Sequence, residues 1–525
     1  MLNLSNNNKT TDTLNHWYTL DLKVILEGII IGFITGLIIV SYRVCLSHAD
    51  EIRDKAYEFM SGKTAMIILW FVLLIVVGII LGWLVKKYPM IKGSGIPQIK
   101  GFLVRQLNIS WLKELVLKFF GGILSIGFGL SLGREGPSVQ MGATAGLGFS
   151  RIFKRFHLEE KYLVTAGASA GLAAAFNAPL AGVIFALEEL HRNFSPIILM
   201  CAMGASITAD FVSSNFFGLK PIFDFTNLEI LPLKYYLMIV GLGIIAAVLG
   251  KLFNNLLLFA SKHIDGSKKI KSIYKPVIPL LISGILGFTI PSILGGGHEL
   301  IVRLTNESML IKVLIVLFIL KLLFTVISYG SGVPGGIFLP VLVLGALIGK
   351  AYGQVCVSIF NIDEVYILNF ITLAMAAYFT AIVKAPITGS ILVTEMTGSF
   401  SHLLPLITIC LVAQVVTGVI NSGAIYDLLL EKLLKNKKGN YMKEAGEKKV
   451  ILEIPVMFGS EIEHSKIKNI TWPSNCLVVG IRRGEKELIP NGEYKIYAGD
   501  FLIILTDSND ADTMKLELLD MATVE

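Results

Sequence analysis

Apolar residues in this chain come in long unbroken runs rather than as one face of a helix or an alternating strand. VILEGIIIGFITGLIIV follows Lys23, and AMIILWFVLLIVVGIILGWLV follows Thr64. Further runs begin around Leu115, Val164, Ile197, Tyr236, Pro276, Ile311, Val341, Ile367 and Leu403. Runs of this length, apolar all round, cross a bilayer as helices, so the pattern predicts roughly ten to a dozen spans. Several are short or interrupted, by GSGIP at 93–97, GREGP at 133–137 and GGIFLP at 335–340. Irregular backbone at membrane depth is tolerated only where it lines a polar cavity. Half-helices that stop inside a membrane turn their N-terminal amides toward a substrate. After Tyr426 the pattern changes. A basic stretch, EKLLKNKKGNYMKEAGEKK, leads into VILEIPVMF, CLVVGIRR, YKIYAG and DFLIILTD, which read as short strands. Turns are expected at Asn491-Gly492 and Gly499-Asp500, and DADTMKLELLD reads as a closing helix. The chain is therefore predicted to be a polytopic α-helical membrane body followed by a small α+β module.

Composition sharpens that division. Of 525 residues, 54% are apolar and 16% charged, against about 25% charged in an average soluble domain. The residues from Asp427 onward hold 14 of the 46 basic and 17 of the 39 acidic side chains, which leaves the body at +10 and the tail at −3. A basic membrane body fits Lys/Arg-rich cytoplasmic loops or an attraction for anions. No clustered basic face for nucleic acid is present. The five cysteines (Cys45, Cys201, Cys356, Cys410 and Cys476) show no metal-ligand spacing. The polar first twenty residues lack the pattern of a cleaved signal peptide. Walker A, HExxH and GxSxG motifs are absent, and GALIGKAYG misses the P-loop spacing, so an enzyme is not expected.

An internal repeat is the sharpest feature. At an offset of 203 residues, Glu135 falls on Phe338, Pro137 on Pro340, Gly142 on Gly345, Ala143 on Ala346 and Gly146 on Gly349. At an offset of 207, Ala178-Pro179 falls on Ala385-Pro386, Gly182 on Gly389, Ile184 on Ile391 and Glu188 on Glu395. Two halves with broken helices at matching places are the architecture of secondary transporters.

Candidate chemistry sits at the breaks. Ser94 offers a hydroxyl between Gly93 and Gly95, with Pro97 beyond; a plain turn is the alternative. Arg134 and Glu135 form a charged pair in an otherwise uncharged span, which marks a functional site by default. Gly133, Gly136 and Pro137 break the helix there and leave free N–H groups that suit an anion; a carboxylate can take the anion's place and leave when protonated. In the second half, Gly336 and Pro340 bracket backbone amides at Ile337 and Phe338, where a simple kink is an equally good reading. Glu188 and Glu189 end an apolar run and are either interface carboxylates or functional. Glu189 falls on Met396 in the repeat and is thus present in one half only. His191 and Arg192 read as boundary charges.

GSGIP, GREGP and GGIFLP, in this order and spacing, resemble the CLC chloride channel and transporter family over about residues 22–430. The resemblance implies a homodimer with one anion pathway per subunit and two inverted-topology repeats. It implies a chloride ion held by the Ser94 hydroxyl, the amides of Ile337 and Phe338, and the hydroxyl of Tyr426 at the end of the last membrane helix. Glu135 matches the family's external gating glutamate, and Glu189 its internal proton glutamate. Members selective for nitrate or fluoride depart from serine in the first motif, so Ser94 favours chloride. The tail is similar to the C-terminal domain of the TrkA/RCK potassium-uptake regulators, which implies a regulatory ligand; in some bacterial relatives that ligand is cyclic di-AMP. Arg482 and Arg483 are candidates to meet its phosphates, an exposed strand end being the favoured reading. The expected organisation is a cytoplasmic segment at 1–21, the CLC domain at 22–430, a basic linker at 431–447 and a cytoplasmic TrkA-C-like domain at 448–525, in a multi-pass cell-membrane protein. The implied function is chloride–proton exchange. A passive voltage- or ligand-gated chloride channel is the alternative, and potassium transport finds support only in the Tyr-Gly of SYGSGVPGG.

Overall fold

The computed structural model describes residues 7–523 apart from 193, 224, 226–227, 266–270, 438–448, 485 and 508–510, with side chains described from residue 22. Two compact units divide at Leu433–Leu434. The first half of the larger unit contains α1 (Asn7–Met60), α2 (Thr64–Lys87), α3 (Ile96–Leu103), α4 (Trp111–Gly127), α5 (Glu135–Ile152), α6 (His157–Phe176), α7 (Pro179–Phe185) and α8 (Pro196–Phe217). The second half contains α9 (Tyr236–Ala260), α10 (Val277–Thr289), α11 (His298–Asn306), α12 (Ile311–Gly330), α13 (Phe338–Phe360), α14 (Ile367–Val383), α15 (Pro386–Thr397), α16 (Leu403–Val419) and α17 (Ile425–Lys437). The first span's helix reaches back to Asn7, into the segment expected to precede it.

Nine helices among the described residues are long and apolar enough to cross a membrane, fewer than the ten to a dozen expected. The shortfall has a physical cause. Helix α5 is buried at every position from Glu135 to Ser150, surrounded by protein rather than lipid, and needs no strongly apolar surface. Its neighbour α6 is likewise rich in Ala and Gly. A Cβ on Gly142 would stand 2.0 Å from the carbonyl of Gly167, and one on Gly146 would stand 2.2 Å from that of Leu163. The same positions in the second half behave alike, with Gly345 and Gly349 at 2.7 and 2.2 Å from carbonyls of α14. Small residues at four-residue spacing let helix backbones meet, and here they account for the repeated glycines.

The repeat extends further than the apolar pattern reveals. Buried Lys118 donates to the carbonyls of Ile91 (2.9 Å) and Gly93 (2.6 Å), while buried Lys321, 203 residues on, donates to those of Ile293 (2.8 Å) and Gly295 (2.9 Å). Each lysine props a glycine loop that opens a short helix, α3 or α11. Gly95 and Gly297, the residues before these helices, both take left-handed backbone, at φ +88° and +89°.

The smaller unit is a four-stranded antiparallel sheet of β1 (Lys449–Pro455), β2 (Cys476–Arg483), β3 (Lys486–Leu488) and β4 (Asp500–Asp507), in the order β1-β4-β2-β3. Helix α18 (Ala511–Ala522) closes one face over Ile454, Ile481, Leu502 and Ile504. One strand expectation fails: YKIYAG is not a strand, and Lys486–Leu488 takes that role. Lys495 makes only an isolated bridge to Lys466. The segment is instead turned by Gly499 (φ +85°) and by the buried Asp500 carboxylate, which accepts the Tyr497 N–H at 2.9 Å. Of the expected linker, residues 431–437 continue α17 as helix, and 438–447 lie outside the described residues.

Candidate anion and proton site

Three glycine-bearing breaks are tied together by backbone. Gly133 and Gly336 exchange N–H···O bonds of 2.7 Å in both directions. Gly93 donates to the Val333 carbonyl at 3.1 Å and accepts from Gly335 at 3.0 Å. SYGSGVPGG thus holds the last turn of α12 and the loop that leads to α13, which stitches both first-half breaks to the second half. Ser125 Oγ braces it by donating to the Pro334 carbonyl. The junction gathers the N-termini of α3, α5 and α13, whose free N–H groups form a region of positive potential.

Ser94 is fully buried, and α5 begins against it: a Cβ on Gly136 would lie 2.8 Å from that of Ser94, which explains glycine there. The Ser94 Oγ makes no hydrogen bond of its own and lies beside the Tyr329 hydroxyl. Glu135 is also fully buried. Its carboxylate folds back over the start of α5, facing the N–H groups of Glu135 and Leu339, and neither oxygen has a side-chain partner. Arg134, its sequence neighbour, is half-buried and turns to the Ala175 carbonyl at 3.4 Å rather than pairing with Glu135. Pro137 and Pro340 occupy the first turns of α5 and α13, where no N–H is required. Ile337 caps α13 and Phe338 opens it. The Phe338 ring packs on Phe176 and Phe379, with centroids 5.1 and 4.5 Å away, which locks the first turn.

Tyr426 is fully buried with an unpartnered hydroxyl. Its place differs from the expectation. The last long apolar helix, α16, ends at Val419, and Tyr426 opens the separate helix α17 instead of closing a span.

The adjacent glutamates part company. Glu188 accepts the N–H of Ile387 (3.2 Å) and both the N–H and hydroxyl of Thr388 (2.7 Å each), capping α15 in the other half. Glu395 returns the arrangement by accepting the N–H groups of Leu180 (3.1 Å) and Ala181 (2.7 Å) at the start of α7. Glu189 sits on a single π turn after α7, 2% exposed, and accepts from Lys100 at 2.6 Å. Lys100 also donates to Asp427 at 2.6 Å, and Arg192 donates to the other Asp427 oxygen. The sequence reading passed over Lys100 and Asp427. The available signals were a lysine inside the apolar PQIKGFL and an acid directly after Tyr426. Arg192 is half exposed, as a boundary charge should be, yet it is paired. In the smaller unit Arg483 holds Asp500 through two 2.7 Å bonds and Arg482 holds Glu453 at 2.7 Å, so both arginines have carboxylate partners.

Residues 77–418 match the family described as voltage gated chloride channel, and residues 451–519 match the TrkA-C domain. Two similar curated proteins are named H(+)/Cl(-) exchange transporter ClcA. The one from Vibrio parahaemolyticus is 33% identical over 424 residues, covering 79% of this chain and 91% of that protein. The one from Citrobacter koseri is 33% identical over 423 residues, covering 79% and 89%. A solved slow cyanobacterial Cl-/H+ antiporter superposes with a TM-score of 0.76 at 30% identity, over 79% of this chain and 99% of its own. A CLC-type fluoride/proton antiporter shares the fold, with a TM-score of 0.64 at 24% identity over 78% and 97%.

Proposed function

The chain belongs to the voltage-gated chloride channel family, and on that footing we propose that it exchanges chloride for protons across the membrane, through one anion pathway in each subunit of a homodimer. The observation that carries the reading is the Glu135 carboxylate, buried without a side-chain partner where the N-termini of α5 and α13 meet, next to Ser94. A carboxylate on a helix N-terminus is an anion in an anion site. Ionised, Glu135 fills it; protonated, it loses its attraction to the helix ends and yields to chloride. Ser94 and Tyr426 supply hydroxyl donors, and Ile337 and Phe338 supply amides. The site then needs no cationic side chain on the ion, and binding stays weak enough for turnover.

Glu189 supplies the internal proton station, off the line of anion ligands. The relatives named as chloride–proton exchangers support this over a passive channel. The TrkA-C domain is assigned a cytoplasmic regulatory role, with a nucleotide such as cyclic di-AMP as its ligand. Purified protein in liposomes tests the central claim. An imposed chloride gradient should drive protons uphill in fixed proportion to chloride. Chloride flux without proton movement would make the protein a channel.

A further inference from the structure

Lys100 lies on α3, six residues past Ser94, and is 4% exposed. Its ammonium is shared between two carboxylates on two other elements, Glu189 on the π turn and Asp427 at the start of α17, at 2.6 Å each. Arg192, at the end of the same π turn, closes the ring by holding the second oxygen of Asp427. Two cations and two anions make the ring neutral when all are ionised.

We infer that Lys100 is a positioning residue that ties the Glu189 carboxylate to the two helices bearing the Ser94 and Tyr426 hydroxyls; the inference rests on the exchange reading above. Stability does not explain the arrangement. A buried ion pair is at best weakly favourable, and an apolar side chain of the same volume would fill the place as well. What the ring supplies is a connection that depends on charge. While Glu189 is ionised, Lys100 joins the π turn, α3 and α17. Once Glu189 takes a proton, the ammonium keeps only Asp427, so α3 loses its charged tie to the π turn while α3 and α17 stay joined and Arg192 still holds α17 to the end of that turn. The state of the proton station is thereby transmitted to both hydroxyl-bearing helices. Among the described residues Arg192 is the other cation near Glu189, but its hydrogen bond goes to Asp427, so the Glu189 carboxylate has Lys100 as its hydrogen-bond partner. Glu188 is taken up by α15, His191 turns to the Thr165 hydroxyl at 3.0 Å beside Lys161, and the Tyr426 hydroxyl carries no charge.

The test uses the full chain in liposomes, with chloride and proton fluxes followed as internal pH is varied. Lys100→Met should lower proton flux relative to chloride flux on the order of tenfold and flatten the pH profile, the scale of an ordinary coupling between sites. Lys100→Arg should restore both. Asp427→Ala keeps the Lys100–Glu189 bond and removes the ties of both Lys100 and Arg192 to α17, so it should retain proton flux while chloride flux loses its dependence on internal pH. Wild-type ratio and pH profile in Lys100→Met would overturn the inference and leave exchange standing. Absence of proton pumping by the unmodified protein would overturn both. Should Lys100→Met fail to elute as a folded protein, Asp427→Ala decides, and an unchanged pH profile there overturns the inference.

Discussion

Gly133 is the position at which a single methyl group tests the gate. A Cβ added there would stand 2.2 Å from Glu135 Oε2 and 3.2 Å from the Leu339 nitrogen. The first separation is roughly 1 Å short of ordinary contact. The obstructing atom is the end of a flexible side chain, so the carboxylate gives way rather than the backbone, and Gly133→Ala should fold. The displaced carboxylate leaves its seat over the helix N-termini, where a partly buried charge is worth up to about 2 kcal/mol. Losing 1–2 kcal/mol of competition should strengthen apparent chloride binding by about fivefold to thirtyfold. Titration calorimetry with chloride at alkaline pH, the condition that most favours the Glu135 anion, reads this directly. The control is the same change in a Glu135→Gln background, where no carboxylate charge competes and the effect of Gly133→Ala should collapse. Unaltered chloride affinity in Gly133→Ala, or an equal gain in both backgrounds, would refute the reasoning.

Three further outcomes are expected. Glu135→Gln mimics the protonated carboxylate and should abolish proton coupling while chloride flux persists, as flux assays in liposomes would show; continued proton pumping by a chloride gradient would remove Glu135 from the gate. Glu189→Gln should also abolish proton transport and leave chloride affinity within error of wild type, and a wild-type flux ratio would return Glu189 to a structural role. Deleting everything after Gly446 should leave exchange intact and remove any response to cyclic di-AMP; loss of transport in a truncation that still folds would show that the tail is needed for the core mechanism.

The broken helices and the two-half organisation were legible in the sequence because each is written in residue types with a narrow conformational meaning. Gly133 stands just before α5 and Pro137 in its first turn, where a proline is compatible with a helix start but not with a continuing helix, and their counterparts Gly336 and Pro340 expose the repeat. The tail was legible through its change in charge density. What was hidden depends on partners distant in sequence. Lys118 and Lys321 look like flaws in apolar helices until the carbonyls they cap are seen, and those lie 25 to 28 residues away. YKIYAG has the alternation of a strand, but it pairs with the chain at 464–467 through an isolated bridge, and Gly499 and Asp500 turn it before it can join the sheet. Tyr426 was expected at a span's end because residues 420–424, which break the helix before it, carry no proline and only one glycine.

The pair Glu188-Glu189 shows how a symmetric scaffold comes to hold an asymmetric function. Capping is reciprocal: Glu188 satisfies the start of α15, Glu395 satisfies the start of α7, and each helix end would otherwise bury unpaired N–H groups. That bond serves the fold, and both halves require it, so the repeat preserves it. The next residue is under no such demand. In the second half it is Met396, which packs in the apolar core at 0% exposure. In the first half the single π turn at Ala186–His191 rotates the chain after Glu188, and Glu189 is presented to Lys100 instead of the core. An extra residue in a helical turn is a common mark of a functional position. The structural glutamate anchors the turn to the opposite half, which leaves its neighbour free for the proton role proposed above.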